Sequence, residues 1–284
     1  MKLWFLAAAL IGVLALAACG GSSSKKGSVN VLYAGSLEAL MNDHIGRAFQ
    51  KATGYTFSGY PAGSKDLASE IKGKVRVGDV FISASPKVNA TLEGSANGNW
   101  VSWFAPFAST KLELGYNPSS SYAHALRSEP WYRVIVKPGF RLGFTDPKLD
   151  PKGVLAVAAL EQVAVAEHQP ALQRIATDQS DLFPEQDLVG RLQAGQLDAG
   201  FFYTVEANAA HIHTVPISPV DESATYTLTV LHHAPNAKGA EAFVKFLLSS
   251  QGQSLLHAAG LTLQTPKAVG SGVPASLSSA VNGG

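Results

Sequence analysis

Two copies of the tripeptide Ala-Gly-Ser provide the first side chains that could bind a ligand. They are Ala34-Gly35-Ser36 and Ala62-Gly63-Ser64, and each lies between an extended stretch and an amphipathic helical pattern. A Gly before a Ser lets the backbone turn tightly, so the hydroxyl and the first free amides of the helix point the same way. Two such corners in consecutive β-α units predict two helix N-termini around one small anion. The alternative is that Ser36 and Ser64 only cap their helices.

The N-terminal residues predict a secretory signal followed by a lipid anchor. An apolar run from Leu3 to Ala18 ends in Leu16-Ala17-Ala18-Cys19, which resembles a bacterial lipobox. We therefore predict a signal peptide over residues 1–18, lipidation of Cys19, the single cysteine of the chain, and a flexible tether over residues 19–28. The alternative is an ordinary signal peptide with an incidental cysteine. A lipidated Cys19 predicts an extracytoplasmic, membrane-anchored protein.

Composition argues against several classes of function. The formal net charge is +1, without a long basic or acidic block, which argues against binding to nucleic acid. No further apolar run reaches the length of a membrane span, so the only expected membrane contact is the lipid. The chain has no Gly-x-Ser-x-Gly, no His-Glu-x-x-His and no P-loop motif. We therefore predict a binding protein and not an enzyme.

The order of the sequence patterns predicts an α/β fold with two lobes. Residues 29–85 read β-α-β-α-β, which is typical of a parallel sheet with right-handed crossovers. The chain is predicted to leave this domain near residue 110 and to return near residue 205. This gives a first lobe over 29–110 plus 205–268, a second lobe over 111–204, and a loose tail over 269–284. Two crossings suit hinge closure on a ligand at the carboxyl ends of the strands, where both Ala-Gly-Ser corners fall.

Several motifs together resemble the periplasmic solute-binding proteins of molybdate and tungstate ABC transporters. Besides the signal and lipobox, they are Tyr33-Ala-Gly-Ser36-Leu, Ala62-Gly-Ser64, Gly78-Asp79-Val80 and the loop Asp146-Pro-x-x-Asp150-Pro-x-Gly153. The resemblance covers roughly residues 29 to 265. It implies a periplasmic-binding-protein fold of the type II kind, capture of molybdate or tungstate between the lobes, and an ABC permease as partner. It also implies a monomer without a cofactor.

Within that family the chain is most similar to the tungstate/molybdate-binding branch, whose members hold the metal in six-fold coordination with two carboxylates. The matching positions are Asp150 and Glu185. In the other branch, hydrogen bonds alone hold a tetrahedral oxyanion. The chain departs from the branch in two ways. It has Lys152-Gly153-Val154-Leu155 where the branch has Cys-Gly-Tyr-Arg, and its stretch between the two carboxylates is shorter.

The resemblance also implies a set of hydrogen-bond donors. Molybdate and tungstate are dianions with only acceptor oxygens at neutral pH, so a selective site needs donors around them. The implied donors are the hydroxyls of Ser36 and Ser64, the phenol of Tyr203, and the backbone amides of Lys152 and Leu188. Helix ends supply positive potential, so the site need not contain a Lys or Arg side chain.

Carboxylates fit such a site only if they bind the metal itself. An unpaired carboxylate about 4 Å from one unit of like charge costs roughly 4 kcal/mol at an effective dielectric of about 20. Oxygens of Asp150 and Glu185 that coordinate Mo or W avoid this cost. The alternatives are an Asp-Pro turn for Asp150 and a favourable charge in the first helical turn for Glu185.

Two other ligand classes stay open on the sequence. One is a different tetrahedral oxyanion, such as sulfate or phosphate. The other is a metal cation, which His211-Ile212-His213 or His232-His233 could bind. These histidines have no Asp, Glu or Cys at a usual ligand spacing, which favours solvated or packed side chains. A ferric-iron receptor would need paired tyrosines, and the sequence offers only Tyr203.

Overall fold

The computed structural model describes residues 26–283, which form a mixed α/β fold. The strands are β1 (Ser28–Ala34), β2 (Thr56–Ala62), β3 (Val80–Ser83), β4 (Trp103–Tyr116), β5 (Leu142–Thr145), β6 (Leu182–Phe183), β7 (Ala199–Tyr203), β8 (His213–Pro216), β9 (Ser223–Val230), β10 (Thr262–Leu263) and β11 (Val269–Gly270). The α-helices are α1 (Gly46–Thr53), α2 (Ser64–Lys72), α3 (Pro86–Ala90), α4 (Ala123–Ser128), α5 (Trp131–Val134), α6 (Pro151–Ala166), α7 (Pro170–Thr177), α8 (Glu185–Gln193), α9 (Thr204–Ala209), α10 (Ala237–Leu248) and α11 (Ser250–Ala258). Two 3-10 turns (Gly35–Leu37 and Ser95–Asn97) and a π-helical turn (Leu40–Ile45) complete the elements. The predicted signal peptide, Cys19 and most of the tether lie outside the described residues.

The strands lie in the order β2-β1-β3-β9-β4-β7-β5-β6. Strands β1, β2 and β3 are parallel, as the β-α-β-α-β pattern predicts, and β9 pairs antiparallel with β3. Strand β4 belongs to two lobes, because its first half pairs with β9 up to Lys111 and its second half pairs with β7 from Leu112. We call β1–β3, β9 and the first half of β4 the first lobe. The second lobe contains β5–β8 and the second half of β4.

The chain returns to the first lobe later than the sequence predicts. Strand β8 pairs with Glu113–Tyr116 in the second half of β4, so residues 213–216 lie in the second lobe. The indole N–H of Trp131, in α5, also donates to the carbonyl of Ser218 over 2.8 Å. The predicted boundary at residue 205 therefore needs correction, and the chain rejoins the first lobe with β9. The apolar residues of β8 are few, which is why the sequence did not reveal this strand.

The predicted loose tail is packed instead. Strand β11 pairs antiparallel with β4, and the amide of Ala268 donates to the carbonyl of Val281. The side chains of Leu277 and Val281 are fully buried in the main hydrophobic core. Two apolar residues in a stretch rich in Gly and Ser are enough to fix it, because each removes its side chain from water.

Burial on both faces explains why the central strands are apolar throughout. Val31 in β1 packs in the main core, whereas its neighbour Leu32 packs in a second cluster with Leu67 of α2 and Phe81 of β3. Such continuous apolar runs are typical of parallel strands covered on both sides. Over residues 26–283, we find no helix with the length and apolar character needed to cross a membrane. The sheet thus brings the carboxyl ends of β1 and β2 to one edge.

Candidate functional site

Both predicted serines lie at this edge, and neither caps its helix. Ser36 is buried in the turn after β1, and its hydroxyl lies 2.8 Å from that of Tyr226 in β9. Ser64 begins α2, and its Oγ accepts a hydrogen bond from the amide of Ala84 over 3.0 Å. The side chains therefore bond across the sheet edge rather than to the helix amides. The capping alternative is wrong for both serines.

The two corners face two segments of the second lobe. The amide of Gly35 donates to Oε2 of Glu185 over 3.0 Å. The amides of Lys65 and Asp66, at the start of α2, both donate to the carbonyl of Leu149 over 3.0 and 3.1 Å. These α2 amides were expected to point at a ligand, and this expectation needs correction. A carbonyl of the opposite lobe satisfies them instead.

Asp150 is the N-cap of α6. Its Oδ1 accepts from the backbone amide of Lys152 over 3.1 Å, so the amide predicted to face the ligand bonds to a neighbouring carboxylate. Asp150 therefore has a local structural role at the start of α6, as the alternative of an Asp-Pro turn predicted. Its second oxygen, Oδ2, is buried without a hydrogen-bond partner. Capping thus uses one carboxylate oxygen and leaves the other one free.

Three of the predicted side chains each bury an oxygen atom that has no hydrogen bond. These atoms are Asp150 Oδ2, Glu185 Oε1 and Tyr203 Oη. Buried polar atoms are paired in the large majority of cases, and leaving one unpaired costs about 1–3 kcal/mol. Burial, and the charge of Asp150, raise the pKa of Glu185 well above its ordinary value. Burial also raises the pKa of Asp150. These three oxygen atoms are therefore available to interact with a bound ligand.

A buried lysine side chain, which the sequence did not predict as part of the site, lies beside these carboxylates. Lys152 Nζ lies 3.0 and 2.7 Å from the two carboxylate oxygens of Glu206 and 3.5 Å from Glu185 Oε1. Burial lowers the pKa of Lys152, but Glu206, Glu185 and Asp150 outweigh it and hold the pKa above its usual value. The departure from Cys-Gly-Tyr-Arg was the signal that could have found Lys152. No local pattern points to Glu206.

Two tyrosines complete the wall of the site. The rings of Tyr203 and Tyr226 meet edge to face, with centroids 6.3 Å apart. Burial raises the pKa of both phenols well above the ordinary value, and Asp150, Glu185 and Glu206 raise it further. Both phenols are therefore neutral O–H donors near neutral pH. Sequence reasoning named Tyr203 and missed Tyr226, because Tyr226 lies on a strand far along the chain.

Leu188 and the histidines lie away from these contacts. The side chain of Leu188 is fully buried and packs with Leu192 and Leu197 in a separate cluster, and a ligand-binding role for its amide stays a prediction. His232 Nε2 lies 2.9 Å from the Ser102 hydroxyl. Within the described part of the chain, no group of three His, Cys, Asp or Glu side chains is arranged to hold a metal ion.

Two grooves between the lobes flank the buried carboxylates. One, of about 560 Å³, reaches Gly35 and Ser36 on one side and Glu185 and Glu206 on the other. The other, of about 580 Å³, runs between α2 and the start of α6 and is lined by Lys65 and Pro151 among others. Solvent-filled space thus reaches Glu185 and Glu206 from one side and the start of α6 from the other.

The family to which the chain belongs identifies the class of protein. Residues 29–262 match the model of the family described as "Bacterial extracellular solute-binding protein". The chain belongs to this family, whose members are binding proteins for transport.

Several proteins similar to this chain have names that mention molybdenum, molybdate or tungstate. A "Putative ABC transporter molybdenum-binding protein" of Haloferax volcanii is 28% identical over 233 residues, covering 79% of this chain and 72% of that protein. A "Molybdate/tungstate-binding protein WtpA" of Pyrococcus abyssi is 21% identical over 336 residues, covering 96% and 97%. The solved periplasmic molybdate-binding protein of Azotobacter vinelandii shares the fold with a TM-score of 0.66 and 20% identity, over 83% of this chain and 99% of that one. The likeness confirms the predicted two-lobed fold.

Proposed function

We propose that this chain is the receptor of an ABC importer and captures tungstate or molybdate between its lobes. The observation that carries the proposal is the set of unpartnered buried oxygens of Asp150, Glu185 and Tyr203. Glu185 bonds to Gly35 of the first lobe, and Asp150 lies beside Gly63. Ser36 and Ser64 follow these two glycines directly, just after β1 and β2. The names of the Haloferax and Pyrococcus relatives support the same ligand class.

The two carboxylates bind the metal in this proposal. A tungstate or molybdate centre accepts further oxygen ligands, and Asp150 Oδ2 and Glu185 Oε1 are the oxygens available for it. Sulfur in sulfate does not accept them, so the carboxylates repel sulfate. The two carboxylates thus favour tungstate and molybdate, whose metal they can coordinate, over sulfate, which they only repel.

Hydroxyl groups bind the oxo oxygens. Ser64 Oγ accepts from the amide of Ala84, which leaves its own proton free to donate to the ligand. The phenol of Tyr203 is neutral and unpartnered, so it is a second donor. Ser36 shares its hydrogen bond with Tyr226, which orients the hydroxyl. We further propose that Cys19 carries a lipid that keeps this receptor at the membrane.

Ferric iron is a second candidate ligand, because Tyr203 and Tyr226 form a tyrosine pair next to Asp150 and Glu185. Oxygen ligands of this kind suit a hard cation. The raised pKa of both phenols and the buried ammonium of Lys152 disfavour it. A ferric complex would show the visible absorption of an iron-bound phenolate, which a tungstate or molybdate complex lacks.

Isothermal titration of the chain with tungstate, molybdate, sulfate, phosphate and ferric citrate tests the proposal. We expect tight binding of tungstate or molybdate, and Asp150→Asn should weaken it strongly while leaving sulfate binding no weaker. Asp146→Asn is the matched control, because Asp146 lies in the same loop and its Oδ1 accepts only from the amide of Lys148. Equal loss of tungstate and sulfate in Asp150→Asn, or no tungstate and no molybdate binding at all, would contradict the proposal.

A further inference from the structure

We propose that the side chain of Lys152 contacts the bound oxyanion, and that Glu206 is the positioning residue that holds it there. The inference rests on the proposed function. It adds two residues to the site, one cationic and one anionic, that come from the second lobe alone. Both lie in the first turns of helices, Lys152 in α6 and Glu206 in α9.

Glu206 fixes the position of the ammonium group. Both of its carboxylate oxygens lie within hydrogen-bond distance of Lys152 Nζ, at 3.0 and 2.7 Å. The Lys152 side chain is fully buried and that of Glu206 is 8% exposed, so water competes little for this pair. An ammonium has three N–H donors. Glu206 uses up to two of them and leaves one for another acceptor.

The remaining donor lies next to the proposed metal position. Lys152 Nζ is 3.5 Å from Glu185 Oε1, the oxygen that has no hydrogen bond and that we assign to the metal. An oxo group bound to the same metal lies beside that oxygen, and therefore beside the ammonium. Lys152 can then donate to the oxo group as a charge-assisted hydrogen bond.

The charges at the site give Lys152 a reason to be there. Asp150, Glu185 and Glu206 are three buried carboxylates, and a dianion brings two further negative charges. Lys152 offsets part of this repulsion at short range, where low polarity makes it strong. Because the Lys152–Glu206 pair forms within one lobe, the ammonium is already in place when the ligand arrives, without reorganisation at that moment.

The test removes both charges together, because removing one leaves its partner buried and unpaired. In Lys152→Met with Glu206→Gln we expect a cooperative melting transition and tungstate affinity at least tenfold weaker by titration. Lys111→Met with Asp221→Asn makes the same kind of change in an exposed pair, with side chains 64% and 72% exposed. This control should bind tungstate as the wild type does.

Single substitutions at Glu206 distinguish a role in positioning the Lys152 ammonium from a role in folding alone. Glu206→Gln frees the ammonium to move onto Glu185 and Asp150, so tungstate affinity should fall at least tenfold. Glu206→Asp keeps the negative charge and should restore a large part of that affinity, which a role in folding alone would not require.

Two results have different meanings. If the wild type binds tungstate and the folded double variant binds it equally well, Lys152 is a structural ion pair and the inference is overturned. If the wild type binds neither tungstate nor molybdate, the proposed function itself fails, and the role of Lys152 fails with it. A double variant that does not fold is replaced by Glu206→Gln and Glu206→Asp, and equal affinities of these two variants for tungstate overturn the inference as well.

Discussion

At the scale of single residues, the site consists of side chains that are each half satisfied. Asp150 caps α6 with one oxygen and Glu185 accepts from Gly35 with one oxygen, and the other oxygen of each is buried without a hydrogen bond. The bonded oxygen fixes the direction of the free one. A carboxylate held in this way needs little rearrangement to bind a metal centre, which favours tight binding.

The two serines should contribute to affinity, since neither caps its helix. Ser36→Ala or Ser64→Ala should weaken tungstate binding by about 1.5–3 kcal/mol, the range for hydrogen bonds to charged groups. Tyr226→Phe removes the hydroxyl that orients Ser36 and should have a smaller effect of the same sign. Titration calorimetry measures each change. Unchanged affinity in both serine variants would remove them from the site.

Replacing the buried acid Glu185 should stabilise the ligand-free protein at neutral pH. Because burial raises the pKa of Glu185, the folded chain binds its proton more tightly than the unfolded chain does. The stability that this proton contributes is full below the unfolded pKa and is lost as pH rises through the folded pKa. Glu185→Gln should therefore raise the free energy of unfolding near pH 8, and should abolish tight tungstate binding.

Urea denaturation between pH 4.5 and 8 measures this effect. The variant should gain most at the high end of the range, and its stability should depend less on pH than that of the wild type. Glu38→Gln, at an exposed position, is the control and should change little. A variant less stable than the wild type across the whole range would show that the charge of Glu185 stabilises the fold.

At the scale of elements, the strand–corner–helix units position the site. The second corner lies against the loop before α6, and a Cβ at Gly63 would lie 2.6 Å from the Leu149 carbonyl oxygen and 3.3 Å from Asp150 Cβ. Real Cβ atoms essentially never approach a backbone oxygen this closely. Glycine at this position therefore permits the two lobes to come together.

Gly63→Ala should separate the lobes and weaken ligand binding. We expect tungstate affinity at least tenfold lower, because the loop that carries Asp150 must move away from α2. Gly190→Ala, inside α8, is the control, since its Cβ would meet no heavy atom within 4 Å. It should bind normally and gain roughly 0.5–1 kcal/mol of stability. Equal affinity of the two variants for tungstate would argue against close contact between the lobes in the bound state.

The features that the sequence predicted are the local ones. The two corners follow from a few adjacent residues, and the positions of Asp150 and Glu185 followed from a resemblance carried by short motifs. The contacts it could not predict join distant parts of the chain. Ser36 meets Tyr226 across 190 residues, and Lys152 meets Glu206 across 54. Helical and strand periodicity relate residues only a few positions apart, so neither contact could be predicted from them.

At the scale of the whole molecule, closure joins two lobes that share β4. The Gly35 amide bonds to Glu185, and the Lys65 and Asp66 amides bond to Leu149, in each case from the first lobe to the second. These few hydrogen bonds lie at the site itself. A ligand that binds both lobes would add to these contacts, so we expect binding and closure to be coupled.

The proposed lipid anchor on Cys19, which lies outside the described residues, would determine where the protein is located. Cys19→Ser should prevent lipidation, so the protein should be released or should keep its signal peptide. Fractionation of cells and the mass of the mature chain measure the outcome. A variant that matures normally and stays in the membrane fraction would contradict the lipid anchor.

X-ray absorption of the tungstate complex tests the central claim most directly. If Asp150 and Glu185 coordinate the metal, the tungsten should have six oxygen neighbours, two of them farther away than the four oxo groups. Asp150→Asn should reduce the number of distant neighbours. Four equivalent oxygens in the wild-type complex would contradict metal coordination and would define a receptor that holds a tetrahedral oxyanion by hydrogen bonds alone.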